Sequence, residues 1–463
     1  MNLHRLFTML LMVLVITGGA FAQKQAPPEG GTPKDFTLPA TTSFTLDNGL
    51  AVTMVQYGIV PKVSVSLSIR AGNLNEQPEE IWLADLLGDM MKEGTESRSS
   101  EEVAEQAASM GGSVNIGVGP DLTTVSGDVL SEFGPDLVAL LSDVIQKPRL
   151  PESELERLKN DRVRSLAVSK TRPRALALEE FYRMLYPNHP YGRVFPTEEM
   201  LKGYTLDQVR KFYEENFGAE RTALFVVGKF DEGDMEASIR KAFAGWKRGP
   251  EPLVNVPTPV RSPGFGIVNR PGAPQSTIYL GLPVIDPSHK DFVTLQVMNT
   301  LLGGSFASRI TSNIREQKGY TYSPSSMIST HYRDAYWAEV ADVTTSVTGA
   351  ALKEIYKEIT TLQNEPPPEE ELKGIQNYMA GTFVLQNSSR GGITNQLSFL
   401  RLHGLTEDYL TNYVKRVFAV TPEEISAAAK KYLSKDVMIL AITGDRDAIA
   451  AQVAEYAKAA RAR

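Results

Sequence analysis

The chain has 463 residues, which is too long for one ordinary hydrophobic core, so two or more domains are expected. Its 42% hydrophobic and 22% charged residues are typical of a globular, soluble protein. A formal net charge of −7 disfavours nucleic acid as a partner, and the absence of cysteine excludes disulfides and thiolate metal sites.

Residues 1–22 have the pattern of a secretory signal peptide. Arg5 precedes an apolar run at 6–16, and Ala-Phe-Ala stands before Gln23 as a cleavage site. The apolar run is too short for a spanning helix, and no later run approaches the roughly 20 residues that one needs. We therefore expect an exported mature chain without a membrane span, periplasmic if the source is Gram-negative.

Hydrophobic periodicity predicts the elements of the first half. Residues 23–40, rich in Pro, Gly and Thr, indicate a disordered lead-in. Period-two patterns predict strands, and the one at 63–71, VSVSLSIRA, is typical of a half-buried strand. The predicted strands are 42–46, 51–56, 63–71, 113–119, 122–129 and 223–227. The predicted helices are 79–92, 100–110, 132–146, 152–170, 174–185 and 205–216.

A proline-rich break at 246–276 separates two similar halves. The order of elements returns after it, which indicates an internal repeat. The anchor pairs are Pro61 and Pro274, Pro151 and Pro368, Thr205 and Thr421, and Gly228 and Gly444. The predicted fold class is α+β, with two tandem homologous domains that are each a mixed sheet packed with helices. The domains are 41–247 and 265–461, joined by a linker at 248–264.

Residues 301–326, LLGGSFASRITSNIREQKGYTYSPSS, combine a Gly-Gly turn, a helix predicted at 306–318 and a strand opening at Tyr320. Arg315 lies in the last helical turn, and Tyr322 follows on the predicted strand. A permanent cation and a phenol on rigid elements suit binding a carbonyl oxygen or its oxyanion. Equally, the arginine could complement the helix dipole and the tyrosine could pack in the core.

Several segments, taken in order, resemble the pitrilysin/insulinase family of zinc metallopeptidases. They are FTLDNGL (44–50), RAGN (70–73), MMKEGT (90–95), MGGSVN (110–115), YPNHPYG (186–192), the 301–326 stretch and RLHGLTEDYL (401–410). The resemblance implies two domains in a clam-shell arrangement and peptides held in an enclosed chamber, partly as an added strand. It also implies, in active members, zinc bound by H-x-x-E-H and by a distant Glu on a later helix.

The zinc motif is degenerate in this chain. Asp85 and Asp89 stand at the two His positions, and Gly88 stands at the general-base position. No carboxylate occupies the distant-ligand position near 164–165. Two aspartates one turn apart could form half of a hard-cation site, or simply belong to a solvated helix face. The five histidines are far apart in sequence: His4, His189, His289, His331 and His403. We therefore expect no metal in this chain and no peptidase activity from it alone.

The resemblance assigns Arg315 and Tyr322, spaced as R-x-x-x-G-x-x-Y, to substrate binding near the scissile carbonyl. In two-subunit members one chain carries the zinc and the other carries this pair. The expected function is therefore a non-catalytic subunit of an exported zinc metallopeptidase, with peptide as substrate and zinc in an H-x-x-E-H partner. The alternative is a homodimeric peptide-binding or scaffold protein of the cell envelope. An independent hydrolase lacks a visible nucleophile and base.

Overall fold

Two sheets with the same strand order form the framework of residues 36–461, the part of the chain that the computed structural model describes. The predicted signal peptide and most of the predicted lead-in lie outside these residues. The described chain belongs to a single compact unit. No helix within 36–461 is both long and apolar enough to cross a membrane.

The first sheet has six strands in the order β1-β2-β6-β3-β5-β4, and the second has five in the order β7-β11-β8-β10-β9. Each contains one parallel pair, β2 with β6 and β7 with β11, and its other neighbours are antiparallel. The strands are β1 Thr41–Thr45, β2 Ala51–Gln56, β3 Lys62–Ile69, β4 Val114–Val118, β5 Thr123–Leu130, β6 Thr222–Gly228, β7 Gly264–Asn269, β8 Gln275–Val284, β9 Ser325–His331, β10 Asp334–Thr344 and β11 Ile439–Gly444. From β2 onward the first order matches the second strand for strand, which confirms the internal repeat and the α+β fold class.

Helices pack on both sheets. In the first half they are α1 Leu83–Met90, α2 Ser100–Ser109, α3 Gly134–Gln146, α4 Glu152–Thr171, α5 Pro173–Leu185, α6 Glu198–Gly203, α7 Leu206–Asn216 and α8 Glu232–Phe243. In the second half they are α9 Phe292–Asn299, α10 Thr311–Gln317, α11 Thr348–Asn364, α12 Glu369–Gln386, α13 Arg390–His403, α14 Asp408–Thr411, α15 Tyr413–Ala419, α16 Pro422–Tyr432, α17 Arg446–Ile449 and α18 Ala454–Arg461. α9 continues as a widened, π-type turn through Thr300–Gly304, and α10 is itself π-type.

Each half covers one face of the other half's sheet. α5, from the first half, packs on β8 and β11 of the second sheet, where Phe181 lies between Tyr279 and Tyr336. α13, from the second half, packs on β3 and β6 of the first sheet. The apolar side chains Phe225 and Val227 of β6 therefore belong to the core of the second half. Neither half buries its sheet completely without the other.

The prediction that β3 is only half-buried is wrong. Ser66 and Ser68 are buried like Leu67 between them, because α13 covers that face of the sheet. The hydroxyls of Ser68 and Ser398 lie 3.1 Å apart across this contact. The small serine side chains let the helix approach closely, so their polarity does not indicate exposure to water.

Two predictions about local order are also wrong. The predicted disorder fails at 36–40, where the Phe36 ring packs against Phe383 at 5.0 Å and Leu38 is buried in the core. The predicted strand at Tyr320 begins only at Ser325. Before it, Thr321 makes an isolated bridge to Val343, and Pro324, which has no N–H, interrupts the ladder.

The interlocked packing predicts the effect of truncating Phe181. Phe181→Ala should lower the free energy of unfolding by about 3–5 kcal/mol, because it leaves a cavity between α5 and the second sheet. Chemical denaturation measures this. Val168→Ala on the exposed side of α4 is the control and should change stability by less than about 0.5 kcal/mol. Equal effects of the two variants would contradict the packing role.

Candidate functional site

The degenerate zinc motif lies on α1, with Asp85 and Asp89 one turn apart on the face towards α4. The guanidinium of Arg162, from α4, lies between them. Its Nη1 is 3.1 Å from Asp85 Oδ1, and its Nη2 is 2.5 Å from Asp89 Oδ2. Nη2 also donates to the backbone oxygen of Asp85 at 2.9 Å. One permanent cation thus bridges the two carboxylates that stand at the histidine positions.

Asp85 and Asp89 were interpreted above as half of a hard-cation site or as part of a solvated helix face, and neither interpretation describes them. Both carboxyls are partly buried rather than solvated, and both are bound by Arg162. Asp85 Oδ2 also accepts from Asn73 Nδ2 at 2.8 Å, and Asp89 Oδ1 lies 3.0 Å from Lys92 Nζ. Burial raises the pKa of the Asp85 carboxyl, and the Arg162 charge and the Asn73 hydrogen bond oppose that shift. Arg162 lies just before the expected distant-ligand position, on the helix where that ligand would fall.

The position of the general base is filled by another side chain. A Cβ added to Gly88 would lie 2.7 Å from Val118 Cγ2, on β4. An acidic side chain there would have to displace Val118. Within 36–461 no group of three or more His, Asp or Glu residues has the arrangement of a metal site. These residues do not fit a zinc ion, since two carboxylates remain and a guanidinium lies between them.

The second predicted site lies on α10 and the loop after it. Arg315 is in the last turn of α10, and Gly319 has the positive φ (64°) expected at the helix end. Ile310 and Ile314 anchor the helix in the core. Tyr322 lies in the loop before β9 rather than on the strand, and 80% of it is exposed. The core interpretation of this tyrosine is therefore wrong.

Two exposed aromatic rings hold the Arg315 guanidinium. Its Cζ lies 4.3 Å from the centroid of Phe306 and 5.1 Å from that of Tyr322. Such cation–π contacts are each worth about 0.5–1 kcal/mol at exposed sites. The ion-pair partner of the guanidinium is Glu316, at 3.5 Å. Rings cover faces of a planar guanidinium but leave the N–H groups at its edge available to an acceptor.

A Gly-Gly turn forms the floor beside Arg315. Gly303, Gly304, Phe306, Arg315, Tyr322 and Tyr378 share a cavity of about 320 Å³. A Cβ at Gly303 would lie 2.6 Å from Ser326 Oγ and 2.8 Å from Glu339 Oε2, so only glycine fits there. Glu339 is completely buried, and burial raises its pKa well above the ordinary value. Ser326 is fixed in turn by Asn299 Oδ1, at 2.8 Å.

Three residues of these sites were missed by the sequence interpretation. The sequence pattern did not indicate a role for Arg162, because a single arginine on a charged helix is common and its partners depend on helix packing. Phe306 was placed only as the start of a helix, whereas it precedes the helix and is 71% exposed. Glu339 could have been singled out, since it is an acidic residue inside an apolar strand pattern, AYWAEVAD. Among residues 36–461, no hydrogen bond or ion pair joins Asp85, Asp89 or Arg162 to Arg315 or Tyr322.

Known proteins are similar to this chain in sequence and in fold. A model described as Insulinase (Peptidase family M16) matches residues 53–195, and one described as Peptidase M16 inactive domain matches residues 203–379. An "uncharacterized zinc protease YmxG" of Bacillus subtilis is 24% identical over 405 residues, covering 86% of this chain and 97% of the relative. An "uncharacterized zinc protease" of Rickettsia felis is 26% identical over 345 residues, covering 74% and 82%.

Solved structures show the same fold. The peptidase M16 inactive domain from Pseudomonas fluorescens has a TM-score of 0.81 at 23% identity, covering 88% of this chain and 98% of that one. A protease from Helicobacter pylori has a TM-score of 0.82 at 19% identity, covering 88% and 100%. Fold and site thus define a peptidase-like protein of two repeated α+β halves. More particularly, the two family models together match over two thirds of the chain, which belongs to the insulinase family, peptidase family M16.

The salt bridge at the former zinc position predicts a stability effect. Arg162→Met should lower the free energy of unfolding by about 2–4 kcal/mol at pH 7, because it leaves two partly buried carboxylates without their shared cation. Denaturant titration measures this. Arg164→Met is the matched control, since Arg164 lies two residues along the same helix and its side chain is exposed. It should lower the free energy of unfolding by under about 1 kcal/mol. A loss no greater than that control's would contradict the bridging role.

The buried carboxyl group of Glu76, near Asp85, is expected to make the stability of the fold depend on pH. Burial raises its pKa to about 8, and its Oε1 accepts from Ala84 N and Asn73 Nδ2, both at 3.0 Å. Between its ordinary pKa and 8 the folded state holds a proton that the unfolded state releases, so this group's contribution to stability falls as pH rises. Glu76→Gln keeps the acceptor. It should match the parent near pH 5 and be more stable by about 1–3 kcal/mol at pH 9.

Thermal or chemical unfolding across pH 5–9 measures that difference. Glu79→Gln, an exposed neighbour, should show no pH-dependent gain. A constant difference between Glu76→Gln and the parent at all pH values would show that Glu76 does not titrate as expected.

Proposed function

We propose that this chain is a non-catalytic subunit of an exported, heteromeric zinc metallopeptidase. In this proposal its Arg315 and Tyr322 bind the peptide next to the zinc of a partner chain that carries H-x-x-E-H. The observation that carries it is an asymmetry between two arginines. Arg162 is bound by both carboxylates at the degenerate-motif positions, whereas Arg315 lies against two exposed aromatic rings at a cavity, and its ion pair within 36–461, with Glu316, is long at 3.5 Å.

The chemistry of Arg315 fits a peptide carbonyl. Its N–H groups can donate to the carbonyl oxygen in the ground state and more strongly to the oxyanion formed when water attacks. Tyr322, next to it, can add an O–H donor. Stacking between Phe306 and Tyr322 restricts the guanidinium before substrate arrives, which reduces the entropy lost on binding. The partner's zinc would activate the water, and nothing in this chain is needed for that step.

The surroundings of Arg315 support a partner on this face. Phe306, Tyr322 and Tyr378 line one cavity and are all largely exposed. Exposed aromatic side chains grouped around an arginine are typical of the buried centre of a protein interface. Because this chain belongs to family M16, we propose that the partner is a peptidase of the same family. Export, to the periplasm of a Gram-negative source, follows from the signal-like segment at 1–22 and belongs to the same proposal.

Reconstitution tests the proposal. The purified mature chain should contain no stoichiometric zinc by metal analysis and should not cleave a quenched fluorescent peptide library. Tagged chain, passed over an envelope extract of its source, should retain a family member with H-x-x-E-H, and the pair should cleave peptides. In the reconstituted complex, Arg315→Ala should lower kcat/KM by at least about ten-fold. This is a smaller loss of kcat/KM than the removal of an oxyanion donor usually causes. Tyr322→Phe, which removes the hydroxyl alone, should reduce it in the same direction.

Two further variants separate binding from structure. Glu316→Ala removes the ion-pair partner of Arg315 without touching the aromatic stack, and should leave kcat/KM within about two-fold. Arg315→Lys keeps the charge but loses the planar fork and the stacking, so it should resemble Arg315→Ala. Full activity of Arg315→Ala would refute the role of this arginine. Peptide binding by a homodimer, with no partner-dependent turnover, would favour the scaffold alternative instead.

A further inference from the structure

A cavity of about 450 Å³ lies at the seam between the two halves, away from both sites described above. Its walls come from the ends of β3 and β6, from the turn between β9 and β10, and from the C-terminal end of α13. Four arginines line it: Arg70, Arg221, Arg333 and Arg401. The one carboxylate on its wall, Glu220, is bound to Arg248 at 2.7 Å. The cavity is therefore strongly basic in a chain whose net charge is −7.

None of the four arginines forms an ion pair with a carboxylate of the described chain. Arg221 is buried, and its donors go to backbone oxygens of Pro250, Glu251 and Asn216 and to the Asn216 side chain. Arg70 donates to the Leu253 backbone oxygen at 3.1 Å and stacks 3.9 Å from the Tyr332 ring centroid. Burial lowers the pKa of Arg221, and repulsion from Arg70 adds to that effect. These charges lie close together without an internal counterion.

His403 is a second, independent sign of a missing ligand. It lines the same cavity and is only 7% exposed, yet its buried Nδ1 has no hydrogen-bond partner among residues 36–461. A buried polar atom without a partner typically costs about 1–3 kcal/mol. Burial lowers the pKa of His403 to about 4, with the charges of Asp286 and Asp121 opposing that shift, so the ring is neutral at physiological pH.

Arg333 occupies a position where arginine is locally unfavourable. It lies in the two-residue turn between His331 and Asp334, with φ at +54°. Glycine or asparagine is the usual choice for this conformation, because a Cβ is strained there. The turn places Arg333 at the cavity with Tyr332, and its Cζ lies 5.4 Å from the Tyr332 ring centroid. The strained turn thus keeps a guanidinium at the cavity.

We infer that this cavity is a binding site for a multivalent phosphate-type oxyanion. Guanidinium groups bind phosphate oxygens through paired, charge-assisted hydrogen bonds. A single carboxylate would neutralise one of four positive charges, whereas pyrophosphate carries enough charge to neutralise most of them. The exposed Arg333 and Arg401 stand as accessible donors, and Arg70 and Arg221 lie further in. The site is independent of the proposed peptidase function and requires no partner chain.

Isothermal titration of the mature chain with pyrophosphate tests the inference, at fixed ionic strength so that general screening stays constant. We expect one site per chain, weaker binding of inorganic phosphate, and no saturable binding of acetate. Arg401→Gln and Arg333→Gln should each weaken pyrophosphate binding by about ten-fold or more, the equivalent of one charge-assisted hydrogen bond. Both side chains are exposed, so the variants should fold. Arg210→Gln, an exposed arginine on α7, is the matched control and should bind as the parent does.

Histidine NMR gives a readout that does not depend on those variants. Pyrophosphate should shift the imidazole signal of His403, assigned through His403→Gln, and acetate should not. No saturable pyrophosphate binding, or the same affinity in Arg401→Gln as in Arg210→Gln, would overturn the inference. Acetate binding as tight as that of pyrophosphate would identify a simple carboxylate site and overturn it as well.

Discussion

The reciprocal covering of the two sheets is the constraint on which the rest of the molecule depends. A sheet buried on both faces needs two layers of helices. In this chain each half contributes a helix that covers one face of the other half's sheet. α5 and α13 are the exchanged elements. This exchange holds the two halves together in a single compact unit. At the seam, the C-terminal end of α13 lies beside the ends of the central strands β3 and β6, and polar and charged groups collect there.

The face of α1 towards α4 shows how a guanidinium can join two helices at positions where the family resemblance places metal ligands in active members. In active relatives, as the family resemblance implies, a divalent cation ties these helices together. Here a guanidinium does so through Asp85 and Asp89. Aspartate suits this role better than histidine, because a permanent cation needs negatively charged acceptors when it is partly buried. The contact between Gly88 and Val118 closes the remaining space. Packing and charge thus agree in making this site structural.

Arginine has three different environments in this chain, and the environment decides what each can do. Arg162 is neutralised by carboxylates of its own chain. Arg315 contacts two aromatic rings and pairs with Glu316 at 3.5 Å. At the seam, Arg70, Arg221 and Arg333 have aromatic or backbone partners, and no carboxylate within 36–461 forms an ion pair with them. The same side chain is therefore a structural cation at α1, a candidate substrate ligand on α10 and a candidate anion ligand at the seam.

The repeat, the α+β class and the absence of an H-x-x-E-H motif could all be read from the amino-acid sequence. It also located most elements of the first half, because periodicity, helix starts and glycine turns are local properties. The positive φ of Gly319 at a helix end and the burial of Ile310 and Ile314, four residues apart, are local features of the same kind. Tertiary structure alone decided the rest. That Ser66 and Ser68 are buried, that Arg162 reaches Asp85, and that Phe306 stacks on Arg315 all depend on contacts between segments distant in the chain or on the exact end of a helix. Such contacts have no local periodicity, so no pattern of neighbouring residues could have indicated them.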